Sequence, residues 1–334
     1  MNRHATAGST AMDDSEEMVA ALRAHIEAAY GGQVTQITAL DKGVFRIDLS
    51  SSEAQVARVF RLQRAGHISA AKSSAAVLSY LQQIGFPAER LASHNSVTKF
   101  HGGEVLTTHF VPGKIPEPSP ETSRKMGELL GRLHTLEVPS EISWSGGAWH
   151  HLIAQGGSHD EILAALTVLE RARTGASEDQ ISAIARLEAA LEAVDDLTGL
   201  PTALVHPDFA LVNMIESANG GLVPVDWTGS GVGPRLFSLA TLLYPASMRG
   251  YEMLEAAIAG YTAHITLTKA EVSHLGKALM LRQLTIPCWE IAYRERDPVE
   301  IAEKLSSLYK RVQRAVKYTK QAIQAAETKP TTNG

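Results

Sequence analysis

The chain of 334 residues is 44% hydrophobic and 20% charged, and its formal net charge is −5 at neutral pH. These values are typical of a globular protein that is long enough for two lobes with a sizeable core. The negative charge argues against a nucleic-acid partner, which would require a basic face, and no apolar stretch approaches the roughly 18 residues that a membrane span needs. The single cysteine, Cys288, excludes an intramolecular disulfide. We therefore expect a cytoplasmic protein without nucleic-acid or membrane partners, and the sequence leaves its oligomeric state open.

The first part of the chain is predicted to form a small antiparallel sheet with two helices. Residues 1–12 have no apolar core region, so they are predicted to be a flexible tail rather than a signal peptide. Apolar periodicity and turn residues then predict a helix over 13–30, strands over 33–40, 43–49 and 54–60, a helix over 66–84, and a hairpin of strands 97–100 and 105–111.

A proline-rich segment at 112–120 predicts a boundary between two lobes, which we place after Val111. The first lobe then covers 13–111 and the second covers 112–334. The second lobe is predicted to be mostly helical, with one helix that ends at His134 and others at 158–171, 178–196, 235–246, 250–264, 268–292 and 298–326.

Residues 204–227 combine short strands with polar loops. An apolar run leads into a loop that contains His206, Asp208 and Asn213, and a second run passes through an Asn-Gly-Gly turn to a strand that ends at Asp226. Two carboxylates and a carboxamide therefore lie at the ends of strands. Rigid elements of this kind hold a functional group of side chains most accurately.

This pattern fits phosphoryl transfer from a nucleoside triphosphate, which needs Mg²⁺ held by hard oxygen ligands and a hydroxyl nucleophile in line with the γ-phosphate. Asn213 and Asp226 can bind the metal, and Asp208 can accept the hydroxyl proton. The order Asp, Asn, Asp matches the catalytic loop and metal aspartate of kinase-like enzymes. A metal hydrolase built on His206, Asp208 and Asp226 is the other interpretation, but it lacks enough histidine ligands near these strands.

The segments HPDFALVN, VPVDW and GPRLFSLATLLY resemble three motifs of the aminoglycoside phosphotransferase and choline kinase-like enzymes. The resemblance extends to MGELLGRLHTLEVP at 126–139 and FVPGK at 110–114, and it covers roughly residues 33 to 320. It implies an α+β, two-lobed protein kinase-like fold with a small antiparallel-sheet N-lobe and a mostly helical C-lobe. It also implies that ATP or GTP is used with Mg²⁺ to phosphorylate a small-molecule acceptor such as an antibiotic or an amino alcohol.

The nucleotide side of the site is predicted from the first lobe. Arg58 lies within an apolar strand, where a cation must find an anion or point to solvent; the resemblance implies that it contacts the α- and β-phosphates. The turn at Gly43 would cover the phosphates, although one glycine also fits an ordinary hairpin. The resemblance further implies that the backbone at Phe110 and Val111 hydrogen-bonds the adenine.

The chain departs from the resembled family at two supporting positions. Kinase-like folds use a glutamate on the helix after the third strand to hold the strand cation, but Ser74 stands there and no acidic residue occurs between Ala54 and Ala88. Arg58 is therefore held by the phosphates themselves, or the nucleotide site is altered or lost. The family's aspartate that supports the catalytic loop is replaced by Ser238, which predicts weaker support because serine carries no charge.

Aromatic and acidic residues near the end of helix 268–292 are candidates for the acceptor pocket. Trp289 and Tyr293 share one helix face and Glu290 is adjacent. Aromatic rings with a carboxylate can hold a cationic acceptor, whereas aromatic residues four positions apart are also typical of a core. Both interpretations stay open at the level of sequence.

Two functions agree with the sequence. The first is an active small-molecule kinase, which the intact Asp208, Asn213 and Asp226 favour. The second is a catalytically impaired, pseudokinase-like binding protein of the same fold, which Ser74 and Ser238 favour. We expect the kinase, since a protein without activity has no physical reason to keep all three groups.

Overall fold

The structure is a computed structural model that describes residues 16–61, 69–153, 155–194, 197–294 and 296–328. The predicted tail at 1–12 lies outside the described residues. The chain divides into two compact units. The first comprises the described residues up to Gln82 together with Glu89–Val111, and the second comprises Gln83–Ala88 and the described residues from Pro112 onward.

The first unit is an antiparallel five-stranded sheet with strand order β1-β2-β3-β5-β4 and two helices. Its elements are α1 (Glu16–Tyr30), β1 (Val34–Asp41), β2 (Val44–Leu49), β3 (Gln55–Arg61), α2 (Ala70–Gln83), β4 (Val97–Phe100) and β5 (Gly103–His109). The apolar stripe of α1 buries Leu22 and Ile26 against the sheet, where they meet Phe45 and Ile47 of β2. This cluster removes apolar surface from water and so stabilises the sheet.

The turn between β1 and β2 brings two of the predicted nucleotide residues, Gly43 and Arg58, to the same part of the sheet. Gly43 adopts a φ of +72°, a conformation that glycine accepts without strain. Its carbonyl accepts a hydrogen bond of 2.8 Å from the Val59 amide, and Val44 lies opposite Arg58 in the ladder between β2 and β3. The turn is therefore a hairpin that is tied to the strand carrying Arg58.

The second unit is mostly helical, as predicted. Its helices are α3 (Pro120–His134), α4 (Ser158–Ala172), α5 (Glu178–Glu192), α6 (Arg235–Arg249), α7 (Tyr251–Thr262), α8 (Lys269–Arg294), α9 (Pro298–Glu303) and α10 (Leu305–Thr328). Helices α3 and α7 approach so closely at Gly127 that a Cβ atom there would lie 2.1 Å from the Ala257 carbonyl oxygen. The absence of a side chain at this glycine permits the contact. None of the helices in the described ranges is long and apolar enough to cross a membrane.

The prediction of a single helix over 298–326 is wrong, because the helical conformation is interrupted at Lys304, between α9 and α10. Asp297 caps α9 by accepting a hydrogen bond from the Val299 amide, and the Lys304 amide closes a tight turn on the Ile301 carbonyl at 3.1 Å. Ile301 and Leu305 are both buried on either side of this turn. The apolar stripe continues through the break, so periodicity does not reveal it.

Four short strands of the second unit frame the loop at 206–213. Strand β6 (Thr202–Val205) pairs antiparallel with β9 (Gly231–Pro234), and β7 (Met214–Glu216) pairs with β8 (Leu222–Pro224). A short 3-10 helix, Leu211–Asn213, closes the loop just before β7. The α+β class predicted from the sequence is confirmed.

Candidate active site

His206 organises the loop that follows β6. Its ring is fully buried, and its Nδ1 accepts a hydrogen bond of 3.2 Å from the Asp208 amide. The proton therefore sits on Nε2, which donates to the Val225 carbonyl at 3.1 Å. One neutral imidazole thus ties the loop carrying Asp208 to the end of the strand before Asp226. His206 therefore organises the loop through hydrogen bonds to the backbone.

Asn213 connects the three polar groups of the motif. Its Nδ2 donates to the carbonyl oxygen of Asp208 at 2.9 Å and to the Asp208 carboxylate at 3.0 Å. Its backbone carbonyl accepts a hydrogen bond from the Val225 amide at 2.9 Å, and Asp226 is the next residue along the chain. The structure therefore joins Asn213 to Asp208 directly and to the segment of Asp226 through the backbone.

Asp226 has an unusual backbone conformation, with a φ of +65°. Residues with a Cβ rarely adopt this left-handed region, and such residues are concentrated at functional sites. One carboxylate oxygen lies 3.8 Å from Nε2 of His150. The left-handed backbone and the contact with His150 together restrict the direction of the Asp226 carboxylate, as is typical of a functional site.

The donor atoms of this group suit a magnesium ion. The amide nitrogen of Asn213 faces Asp208, so its amide oxygen points away from that carboxylate, and a backbone hydrogen bond joins Asn213 to the residue before Asp226. Mg²⁺ prefers oxygen ligands of this kind, and substrate phosphates and water molecules usually complete its coordination. Within the described ranges, no three His, Cys, Asp or Glu side chains are grouped to hold a metal ion alone. The residues present therefore fit a metal that is bound together with a nucleotide.

Two side chains support the loop at 206–213 through its backbone carbonyls. The Ser238 hydroxyl donates to the His206 carbonyl at 2.8 Å, so its support is one uncharged hydrogen bond. Arg282, on α8, donates from Nη2 to the Pro207 carbonyl at 2.7 Å. The loop thus has a charged support, but it comes from a helix that the sequence did not connect with it.

In the first unit, Arg58 has a carboxylate partner. Its Nη1 lies 3.7 Å from Oε1 of Glu89, and the two side chains are only 12% and 4% exposed. Thr108 donates to the other Glu89 oxygen at 2.9 Å. The alternatives derived from the sequence, a cation held by the phosphates themselves or a site that is altered or lost, did not include this partner, because the glutamate comes from the segment after α2. Ser74 instead bonds the Ala70 carbonyl within that helix at 2.7 Å.

The backbone at Phe110 is already partly engaged. Its amide donates to the Ala54 carbonyl at 2.8 Å, and the Arg46 guanidinium stacks 4.3 Å from its ring. The Phe110 amide therefore already has a partner within the first unit, and the adenine contacts of Phe110 and Val111 stay predictions.

The predicted acceptor residues separate into two environments. Trp289 packs on Trp149, with ring centroids 5.6 Å apart, and Tyr293 lies 6.0 Å from Trp289 and is largely exposed. The Glu290 carboxylate is instead held by Arg296 at 3.4 Å, and both line a cavity of about 200 Å³ with an apolar floor. The aromatic rings form one cluster, and the carboxylate expected beside them is paired with a cation.

A family model described as "Phosphotransferase enzyme family" matches residues 40–271, which is more than half of the chain. The chain belongs to the phosphotransferase enzyme family. No curated protein matches it in sequence.

Solved structures of small-molecule phosphotransferases share the fold. Choline kinase LicA from Streptococcus pneumoniae aligns with a TM-score of 0.60 at 15% identity, over 91% of this chain and 99% of that one. An aminoglycoside phosphotransferase from Alicyclobacillus acidocaldarius aligns with a TM-score of 0.57 at 15% identity, over 87% and 93%. Spectinomycin phosphotransferase, solved with ADP and spectinomycin, aligns with a TM-score of 0.51 at 13% identity, over 92% and 97%. The two-lobed kinase-like fold expected from the sequence is confirmed.

Three features of this phosphotransferase were missed by sequence reasoning. Glu89 is the first acidic residue after the stretch without carboxylates, so its position offered a signal. His150, beside Asp226, belongs to a pair of adjacent histidines, which was the available signal. Arg282 lies within the apolar run ALMLRQLTIP, where a cation needs a buried partner; that need was the available signal.

Proposed function

We propose that this member of the family is an active small-molecule kinase that transfers the γ-phosphate of ATP or GTP to a hydroxyl group of a small acceptor. The observation that carries the proposal is the pair of hydrogen bonds from the Asn213 amide to Asp208. They join the proposed base to a proposed metal ligand, and the Val225 amide adds Asp226 to the same group.

Each polar residue has a role in this proposal. Asp208 accepts the proton of the acceptor hydroxyl and orients that oxygen toward the phosphate, while Asn213 and Asp226 hold the metal through oxygen atoms. Magnesium bound with the nucleotide supplies positive charge next to the phosphate oxygens. Because Asn213 donates to Asp208, the amide also holds the carboxylate in one direction, which favours a productive geometry.

The contacts of Arg58 support its proposed role on the nucleotide. Its guanidinium is largely buried beside the Glu89 carboxylate, and the fork geometry of arginine suits phosphate oxygens. Gly43, in the hairpin that bonds to β3, is proposed to lie over the phosphates, and the backbone near Val111 is proposed to contact the base. The ADP complex of the spectinomycin phosphotransferase supports an adenine nucleotide first.

The acceptor pocket is proposed to lie beside the aromatic cluster of Trp149, Trp289 and Tyr293. Trp149 is the neighbour of His150, which reaches Asp226, so the cluster and the metal ligands belong to connected segments. Since Glu290 is paired with Arg296, contacts with rings, rather than free carboxylates, are proposed to hold the acceptor. Choline kinase and spectinomycin phosphotransferase are the kinds of enzyme that its structural neighbours represent.

The pseudokinase-like alternative has lost much of its support. It rested on Ser74 and Ser238, but Glu89 supplies a carboxylate for Arg58 and Arg282 supplies a charged support for the loop. Ser74 and Ser238 are therefore compatible with activity.

Calorimetric titration with ATP and GTP, with and without Mg²⁺, tests the proposal. We expect wild type to bind at least one nucleotide in a magnesium-dependent manner, and Asp226→Asn to lose the magnesium dependence while staying folded, because an amide oxygen is a weaker ligand than a carboxylate. Glu216→Gln, outside the group of three, serves as the matched control. Phosphate transfer to a panel of alcohols then identifies the acceptor. Absence of binding of both nucleotides under all metal conditions would rule the kinase out.

A further inference from the structure

A buried ion pair connects α4 and α8 behind the catalytic loop. Nη1 of Arg282 lies 3.2 Å from Oε1 of Glu161, and the side chains are 7% and 0% exposed. Thr285 also donates to Oε1, and the Trp149 amide donates to Oε2 at 2.9 Å. The Arg282 guanidinium further contacts the Pro207 carbonyl and lies 5.4 Å from the Trp149 ring. The pair therefore bonds two loops besides joining two helices.

Stability is a weak reason for such a pair to exist. Burying two charges removes their hydration, and apolar residues of similar volume are often as stable. Burial lowers the pKa of Arg282, while the nearby Glu161 and Asp208 carboxylates oppose this effect. A charged pair in this place is better explained by the direction that its hydrogen bonds impose on the groups it contacts.

Those groups lead directly to the proposed site. Pro207 immediately precedes Asp208, so a bond to its carbonyl restrains the peptide from which the proposed base extends. Trp149 immediately precedes His150, which lies next to Asp226, and the Trp149 ring also packs on Trp289. The pair thus contacts the loop of the base and the loop of the aromatic cluster at once.

We propose that Arg282 and Glu161 are positioning residues that hold Asp208 and the Trp149 loop in register for phosphoryl transfer, a support that the uncharged Ser238 provides only in part. The proposal rests on the proposed kinase function. Neither side chain is assigned contact with substrate; both act through Pro207 and Trp149.

A double variant separates positioning from stability. Arg282→Met with Glu161→Leu removes both charges and fills the space with apolar atoms, so no buried charge is left unpaired, as it would be in each single variant. The matched control is Arg235→Met with Glu271→Leu. This second ion pair of the same unit is 15% and 0% exposed and bonds the Thr266 and Thr268 backbone rather than the catalytic loop.

The first readout is release of phosphate from MgATP with water as the acceptor, together with calorimetric affinity for MgATP. We expect the Arg282/Glu161 double variant to keep its affinity within about threefold and to lose at least about tenfold in kcat, because small displacements of a reacting group reduce rates strongly. The control double variant should keep kcat within about twofold at a similar change of Tm. Equal kcat losses in the two double variants, or an unchanged kcat in the first, would overturn the proposal.

The second readout needs no nucleotide. Hydrogen exchange of the Asp208 and Ala210 amides, which bond His206 and the Asp208 carbonyl, should become at least about tenfold faster in the first double variant and stay unchanged in the control. Unchanged exchange in both would overturn the positioning role. If wild type neither binds nor hydrolyses ATP, the kinase function fails, whereas faster exchange would still support the restraint of the loop by Arg282 and Glu161.

Discussion

Asp226 carries both the proposed metal ligand and a strained backbone. At a φ of +65°, an alanine clashes through its Cβ, a glycine does not, and an asparagine tolerates the conformation better than most residues. The residue type at this position is therefore restricted twice, by the carboxylate and by the backbone.

The backbone restriction predicts an order of stability among variants. We expect the free energy of unfolding of Asp226→Gly to be about 1 kcal/mol higher than that of Asp226→Ala, so the glycine variant is the more stable one, although glycine usually lowers stability. Asp226→Asn should match the glycine variant or exceed it. Urea unfolding followed by tryptophan fluorescence measures the three values. Equal stability of the alanine and glycine variants would show that the left-handed conformation is not required.

Glu89 offers a second prediction at the residue scale. Glu89→Gln keeps a hydrogen-bond acceptor for Thr108 but removes the charge opposite Arg58. If Arg58 binds phosphates, its orientation then loosens, and we expect MgATP to bind roughly tenfold more weakly, equivalent to about 1.4 kcal/mol. Glu53→Gln, whose side chain is exposed, should leave the affinity unchanged. A lower Tm of Glu89→Gln at constant affinity would assign the pair to the fold alone.

Among the elements, α3 and α7 depend on the absence of side chains at their contact. A Cβ at Gly127 would meet the Ala257 carbonyl at 2.1 Å, and one at Gly260 would meet the Arg124 carbonyl at the same distance. Backbone atoms cannot rotate away as a side chain can, so the helices would have to separate. Overpacking of this kind is destabilising.

We expect Gly127→Ala to lower the free energy of unfolding by about 1–3 kcal/mol. The control is Gly276→Ala on α8, where the new Cβ would lie 3.7 Å from a Val316 methyl group, an ordinary contact. That variant should be neutral or more stable by up to about 1 kcal/mol, because alanine favours helix over glycine. Chemical unfolding of both proteins decides the matter, and equal effects of the two changes would contradict the close approach of α3 and α7.

The sequence predicted elements better than the contacts between them. Strand and helix positions follow from local periodicity, which is why most agree with the structure within a few residues. The break at Lys304 escaped because the buried stripe continues from Ile301 to Leu305. The sequence did not predict the ion pair of Arg58 with Glu89 or the hydrogen bond from Arg282 to the Pro207 carbonyl. Contacts between distant segments depend on tertiary packing, which no local pattern encodes.

At the scale of the whole molecule, buried polar groups make the second unit sensitive to acid. His134, at the end of α3, hydrogen-bonds the Tyr261 hydroxyl at 2.9 Å. Burial lowers the pKa of His134 to about 3, and the nearby Arg235 guanidinium acts in the same direction. In the unfolded chain the pKa of a histidine is about 6.5.

This difference determines the sign of a pH effect on folding. Between about pH 6.5 and about pH 3 the unfolded chain binds a proton at His134 that the native chain does not, so the free energy of unfolding falls as the pH falls, by up to about 1.4 kcal/mol per pH unit from this group. His134→Gln should reduce that slope by nearly the contribution of one proton, about 1.4 kcal/mol per pH unit, whatever its effect on stability at neutral pH. Asn219→Ala, at an exposed position that does not titrate, should leave the slope unchanged. All four tryptophans lie in the second unit, so urea midpoints followed by tryptophan fluorescence from pH 7.5 to 4.5 report on the unit concerned. An identical slope in wild type and His134→Gln would mean that this imidazole takes up its proton without unfolding.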